Sequence, residues 1–129
     1  MSDWDEGYLV SDKRRCMVLE LDLSVRLVDL ADQDVERLQE IVGGHFDITG
    51  LIRTPKIYVG IAVNDTGLLE KLPLNRLASS LRGMFMMQDT PLVGPAVVLA
   101  ADAEGVGIPL PQEWIDLVQA IRKVVVSLK

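Results

Sequence analysis

The sequence predicts a single α+β domain with a mostly antiparallel or mixed β-sheet, one short internal helix and a C-terminal helix. Three observations lead to this fold class: apolar residues alternate near the start, β-branched runs recur through the middle, and apolar residues at helical spacing occur in two places. A chain of 129 residues has the length of one domain. We expect residues 1–14 to be a flexible acidic tail and residues 15–129 to be the domain.

The first two strands are predicted from alternation and a turn. Apolar side chains at every second position predict a half-buried strand, and they are Met17, Leu19, Leu21 and Leu23. After a turn near Leu23 and Ser24, residues 25–30 form a second, short strand. A third strand is expected over residues 45–52, with Phe46, Ile48 and Leu51 pointing inward, and Pro55 ends it.

Two further strands follow in the middle of the chain. Residues 56–63, "KIYVGIAV", are rich in β-branched residues and are predicted to be central in the sheet. Residues 93–101 form another strand, for which Gly94 and Pro95 near its start favour an edge position or a bulge. Between them, residues 77–86 form either a helical turn or an irregular crossing.

Capping residues delimit the two predicted helices. Asp32 is the expected N-cap of the first, with Asp34 and Glu36 in its first turn, and Gly43 with Gly44 ends it. The C-terminal helix begins near Pro111. Its apolar stripe consists of Trp114, Leu117, Val118, Ile121, Val124 and Val125.

Charge and cysteine content exclude several classes of function. A formal net charge of −6 without a basic face argues against direct nucleic-acid binding and against an anionic membrane surface. Cys16 is the only cysteine, so no internal disulfide forms and the thiol is expected to be buried and inert. The acidic N-terminus resembles no signal peptide, and no membrane span is evident, so we expect a soluble, intracellular protein.

Asp65, Thr66 and Gly67 raise the possibility of a dimeric aspartic protease with one catalytic Asp per chain. Such sites place apolar residues directly before the Asp and a small residue after the Gly, whereas this chain has Asn64 and Leu68 there. Asn, Asp and Gly after a strand are also typical of a turn. The turn is the preferred interpretation.

No other catalytic or cofactor-binding set is evident. His45 is the only histidine, and a lone His near a carboxylate such as Asp47 is more often structural than a general base. One His and one Cys cannot complete a zinc site, and no Gly-rich phosphate loop is present. We therefore predict a protein that is not an enzyme and that has no metal or cofactor.

Asn75 and Arg76 are polar residues within an apolar stretch, and two interpretations remain open. Arginine makes planar, two-pronged contacts with carboxylates or phosphates, so the pair could bind a ligand or a partner. Alternatively, Asn75 closes a turn and Arg76 pairs with a nearby acid such as Glu70.

Four segments together resemble an uncharacterised small domain of unknown function that is found in bacteriophages and plasmids. They are "VGG" at residues 42–44, "NDTGL" at 64–68, "LPLNR" at 72–76 and "LVGPAVV" at 92–98. The resemblance covers about residues 17–102. It implies an accessory protein of a mobile element that acts in the bacterial cytoplasm, and it raises the weight of a functional role for Asn75 and Arg76.

Three hypotheses follow. The leading one is a non-enzymatic phage accessory protein that binds a host protein or other macromolecule, with the helix carrying Trp114 as a possible interface. The alternative is a small-ligand binder that sequesters a nucleotide-like signal of host defence, through Asn75, Arg76, Asn64 and Asp65. The third is an enzyme that uses Asp65 or His45. A homo-oligomer is possible, and Gly43, Gly44, Gly67 and Gly94 are expected to be turn residues.

Overall fold

Six antiparallel strands and three helices form the part of the chain described by the computed structural model, which comprises residues 15–30, 34–86 and 90–128. In chain order they are β1 (Arg15–Leu19), β2 (Val25–Asp29), α1 (Val35–Val42), β3 (Phe46–Arg53), β4 (Ile57–Asn64), α2 (Arg76–Gly83), β5 (Ala96–Asp102), β6 (Gly107–Ile108) and α3 (Gln112–Ser127). The predicted α+β class is confirmed. The tail expected at residues 1–14 and the proposed cap Asp32 lie outside the described residues.

The strand order is β2-β1-β5-β4-β3, with the short β6 paired to β5. All pairs are antiparallel, and β2 and β3 are the edges of the main path. The central position predicted for β4 is confirmed. The edge position suggested for the strand after Gly94 is wrong, because Pro95 precedes the strand and therefore does not interrupt the hydrogen-bond ladder that begins at Ala96.

Helices cover both faces of the sheet. On one face α2 and α3 pack on the larger apolar cluster, which includes Met17, Ile61, Val98, Leu77, Leu81 and Ile115. On the other face α1 packs on a smaller cluster of Cys16, Val18, Val28, Leu30, Leu38, Val42, Ala62 and Val97. The prediction that β1 is half-buried is wrong, because adjacent residues Met17 and Val18 each contact a covered face and both are fully buried.

Cap residues set the ends of α1. The N-cap is Asp34, whose Oδ1 accepts the N–H of Arg37 at 3.1 Å. Asp34 was expected within the first turn of the helix, so the helix begins later than predicted. Gly43 ends it in the left-handed conformation with φ +84°, and its N–H donates to the Gln39 carbonyl, as the glycine signal predicted.

The other two helices form the α2/α3 layer. For residues 77–86 the sequence left a helical turn and an irregular crossing open. Most of this segment belongs to the helix α2, whose N-cap is Asn75. In α3 the predicted stripe is correct at Trp114, Val118 and Val125, which are buried. It is wrong at Val124, which is exposed because its neighbour Val125 takes the inward position at that turn.

Candidate functional site

An open apolar groove lies on the face of the sheet that α1 covers only in part. Its volume is about 460 Å³. We call it the α1 groove. It is bounded by the N-terminal half of α1, by the exposed faces of β3, β4 and β5, and by the β5–β6 turn. Its main lining side chains are Val35, Leu38, Phe46, Ile48, Tyr58 and Leu99.

The floor of the groove is made by neighbouring strands in register. Tyr58 on β4 pairs with Ala101 on β5, and Leu99 pairs with Gly60. A Cβ atom at Gly60 would lie 2.7 Å from Ile48 Cγ2 and 3.0 Å from Tyr58 Oη. The glycine therefore lets these two side chains lie flat across the sheet, which leaves a shallow hollow above them.

The chemistry of the groove is that of an apolar binding surface. The Asp34 carboxylate at its rim already accepts the Arg37 N–H. At the inner end, burial and then the charge of Asp29 raise the pKa of the Cys16 thiol to about 12, so the sulfur is protonated at neutral pH. At the outer end the Arg53 guanidinium lies 5.1 Å from the centre of the Tyr58 ring. The apolar side chains between these polar groups can hold an apolar partner.

Asn75, the first residue proposed as a ligand contact, is fully buried and has a structural position. Its Nδ2 donates to the carbonyls of Leu19 and Gly94, both at 2.9 Å, and its Oδ1 accepts the Ala78 N–H at 2.9 Å. One side chain thus joins β1, the segment before β5, and the first turn of α2.

Asn64 is likewise buried, at the end of β4. Its Nδ2 donates to the Val42 carbonyl at 3.3 Å, and its Oδ1 accepts from the backbone N–H and the hydroxyl of Thr66. The exposed Asp65 has its backbone N–H bonded to the His45 carbonyl at 2.9 Å. The asparagine therefore ties the end of α1 to the turn that follows β4, in agreement with the turn interpretation.

The segments at residues 72–76 and 92–95 pair with each other. Leu74 and Val93 form an isolated antiparallel bridge. The Gly94 N–H donates to the Pro73 carbonyl at 2.8 Å, and the Asn75 N–H to the Leu92 carbonyl at 2.9 Å. The two segments thus form one hydrogen-bonded junction beside α2. This pairing gives the residues of both segments a structural role.

Gly94 is a position at which this junction requires glycine. Its φ is +77°, and a Cβ atom there would lie 2.9 Å from Leu72 Cδ1. We expect Gly94→Ala to lower the free energy of unfolding by about 1–2 kcal/mol, measured by urea denaturation. Gly83→Ala is the matched control, since nothing lies within 4 Å of its Cβ position. Equal stability of wild type and Gly94→Ala would contradict the strain argument.

The remaining predicted site residues have different surroundings. Arg76 is exposed at the first position of α2, and its side chain makes no hydrogen bond within the described residues. Trp114 is buried in the α2/α3 layer, with its ring 5.2 Å from that of Phe85. The turn at Gly67 lies against the 72–76 segment, since the Leu72 N–H donates to the Gly67 carbonyl at 2.9 Å. Trp114 belongs to the apolar cluster on the other face from α1, so it forms no common site with Asn64.

The residues that line the groove were missed at the level of sequence. Ile48 was expected to point inward, and Val35, Tyr58 and Leu99 were not proposed as site residues, because apolar periodicity does not show whether a helix covers the whole of a sheet face. One signal was available. Gly60 interrupts a β-branched strand next to Tyr58, a pattern that indicates close approach of another group.

The described residues contain neither a metal-binding cluster nor a membrane-spanning helix. Across residues 15–30, 34–86 and 90–128, no three His, Cys, Asp or Glu side chains are placed to hold a metal ion. His45 Nδ1 lies 3.4 Å from Gln39 Nε2, and Asp47 Oδ1 accepts the Ile48 N–H. Among the helices in this same part of the chain, none has the length and apolar character needed to cross a bilayer.

Comparison with known proteins places the chain in one family. Neither a curated protein nor a solved structure gives a significant match to it. A family model described as "Domain of unknown function (DUF3846)" matches residues 14–123. These residues include every strand and most of α3. Since the match covers more than half of the sequence, the chain belongs to the family of the domain of unknown function DUF3846.

Proposed function

We propose that this protein is a non-enzymatic accessory protein of a bacteriophage or plasmid, and that it acts by binding a host protein through the α1 groove. The observation that carries the proposal is the groove itself. It is an open concave surface of about 460 Å³ whose lining is almost entirely apolar. Concave apolar surfaces of this kind are typical of binding sites.

The exposure of its rim supports a macromolecular partner. Val35 and Ile48 are large apolar side chains at opposite sides of the groove, and both are exposed. A groove that stays open along one side accommodates a side chain or segment projecting from another protein. Apolar side chains of a partner that become buried in such a groove supply most of the binding energy at protein interfaces.

Charge indicates the chemistry of the partner segment. The chain has a formal net charge of −6. Asp34 is at the rim, and Glu104 directly precedes Gly105, which also lines the groove. We therefore expect the bound segment to present an apolar side chain flanked by basic residues, because complementary charge accelerates encounter and excludes acidic competitors.

Val35→Lys tests the groove. The variant places an ammonium group over the apolar lining, and we expect its affinity for the host protein to fall by about tenfold or more. The measurement begins with capture of host proteins from a bacterial lysate on the immobilised chain. Each captured protein is then identified, purified and titrated against wild type and variant by calorimetry.

Val124→Lys is the matched control. Val124 is 56% exposed and Val35 is 47% exposed, but Val124 lies on α3, on the opposite face of the sheet. The control should keep wild-type affinity. A captured protein that binds Val35→Lys as tightly as wild type, or a lysate from which nothing is retained, would count against the groove as the binding surface.

The nucleotide-binding alternative has a narrower basis. Asn75 already uses both amide hydrogens and its oxygen within the fold. A polar ligand beside Asn75 would therefore have to be bound by Arg76, without a hydrogen bond from the Asn75 side chain. No described feature favours this ligand over a protein partner.

A further inference from the structure

β3 is the longer of the two strands at the edges of the main sheet path. β3 has eight residues, whereas β2, the opposite edge, has five. Its sequence, "FDITGLIR", contains neither proline nor lysine, the residues that commonly protect such edges. An edge strand that lacks these two residues can pair with another strand.

Backbone hydrogen bonds show which residues of β3 direct their N–H and C=O groups to the outer edge. The Asp65 N–H donates to the His45 carbonyl, so the backbone groups of His45 point toward β4. The direction of these groups alternates along an antiparallel strand, so the N–H and C=O groups of the even-numbered residues from Phe46 to Gly50 point away from β4. In agreement, the Ile48 N–H donates to the side chain of Asp47 instead of to β4.

A bulge limits the length of the regular edge. The register of β3 against β4 shifts between Gly50 and Ile52. The alternation therefore breaks after Gly50, and only residues 46–50 can form a regular ladder with a further strand. The midpoint of this five-residue stretch is Ile48.

We infer that residues 46–50 of β3 pair antiparallel with the same residues of a second copy of this chain, around a two-fold axis at Ile48. The stretch is complementary to itself in this register. Phe46 lies opposite Gly50 of the other copy, Ile48 lies opposite its own equivalent, and Asp47 lies opposite Thr49.

Each of these three pairs is chemically favourable. Tyr58 lies over Gly50, since a Cβ atom there would be 3.2 Å from Tyr58 Cε1, so the incoming Phe46 ring meets an aromatic side chain. The two Ile48 side chains bury apolar surface that is exposed in one copy. The Asp47 carboxylate, released from the Ile48 N–H, accepts the hydroxyl of Thr49 across the interface.

The pairing has a consequence for the α1 groove. Phe46 and Ile48 belong to its lining and face the same side of the sheet. A second copy would continue that face across the axis and place the two grooves side by side. Five paired residues make a small interface, so we expect a weak, concentration-dependent dimer.

Sedimentation equilibrium of the full chain tests the pairing. Between about 1 μM and 1 mM, the range in which small interfaces associate, the mass of the wild type should rise from 14.2 kDa toward twice that value. Ile48→Lys and Ile48→Glu should each remain at the monomer mass, because like charges face each other across the axis. An equimolar mixture of the two variants should associate again, since the charges are then opposite.

Ile52→Lys is the matched control. Ile48 is 37% exposed and Ile52 is 38% exposed on the same strand, but Ile52 lies beyond the bulge. It should dimerise like the wild type, and circular dichroism verifies that all variants fold. The inference is overturned by a wild type that stays monomeric throughout, by loss of association in Ile52→Lys, or by a mixture that remains monomeric. Val35 is outside the paired stretch, so failure of host binding and failure of pairing are separate results.

Discussion

Asn75→Ala should lower the free energy of unfolding by about 3 to 4 kcal/mol, because it removes three buried hydrogen bonds that contribute about 1 kcal/mol or more each. The variant leaves the carbonyls of Leu19 and Gly94 and the N–H of Ala78 without their partner in the interior. Urea denaturation followed by circular dichroism measures the change.

Asn75→Asp distinguishes the helix cap made by Oδ1 from the two hydrogen bonds donated by Nδ2. The aspartate keeps an acceptor for the Ala78 N–H, but it loses both amide hydrogens and directs a carboxylate toward two carbonyl oxygens. We therefore expect it to be at least as destabilising as Asn75→Ala. If the helix cap were the only important contact, Asn75→Asp would instead be close to wild type in stability.

Arg76→Ala is the control at the adjacent position. Its side chain is exposed and makes no hydrogen bond within the described residues, so stability should change by less than about 0.5 kcal/mol. A stable Asn75→Ala would contradict the structural role derived above. It would also restore the residue as a candidate for direct ligand contact.

The sequence predicted local features well where the signal was local. The turn after β4, the glycine end of α1 and the apolar run of β4 each depend on neighbouring residues, and each is present in the structure. The position of β5 was predicted wrongly. Its place between β1 and β4 depends on partners distant in the chain, and Pro95 gave a misleading local signal.

The functional surface was less predictable for a physical reason. Asn75 attracted attention because it is a polar residue among apolar ones, and its explanation lies in carbonyls 56 and 19 residues away in the sequence. The residues of the α1 groove do not stand out in the sequence, because most of them are ordinary apolar residues of strands and of α1. Exposure of Ile48 and Val35 results from the limited length of α1, which composition does not reveal.

Alkaline pH should destabilise the protein through Cys16. Burial, followed by the charge of Asp29, raises the pKa of its thiol to about 12 in the folded chain, from 9.0 in a solvated one. The unfolded state loses this proton first, so the stabilising contribution is complete below pH 9 and is lost as the pH rises toward 12. The free energy of unfolding should fall by roughly 1 kcal/mol per pH unit in this window.

The measurement is the difference between wild type and Cys16→Ala across pH 8 to about 11, because lysines and tyrosines titrate in both proteins and cancel. Cys16→Ala should be somewhat less stable at neutral pH, since it removes a buried sulfur, and its stability should depend less steeply on pH. Parallel pH profiles for the two proteins would contradict the burial argument.

The reactivity of the Cys16 thiol shows whether the sulfur is accessible through the groove. Cys16 lines the inner end of the groove but is buried and protonated at neutral pH. A thiol reagent should therefore modify the native chain slowly at pH 8 and the urea-unfolded chain quickly, because only opening of the fold exposes the thiolate. Rapid native modification would mean that the groove is open to solvent as far as the sulfur. Slow modification fits a surface that acts by reversible apolar contact, as proposed for host binding.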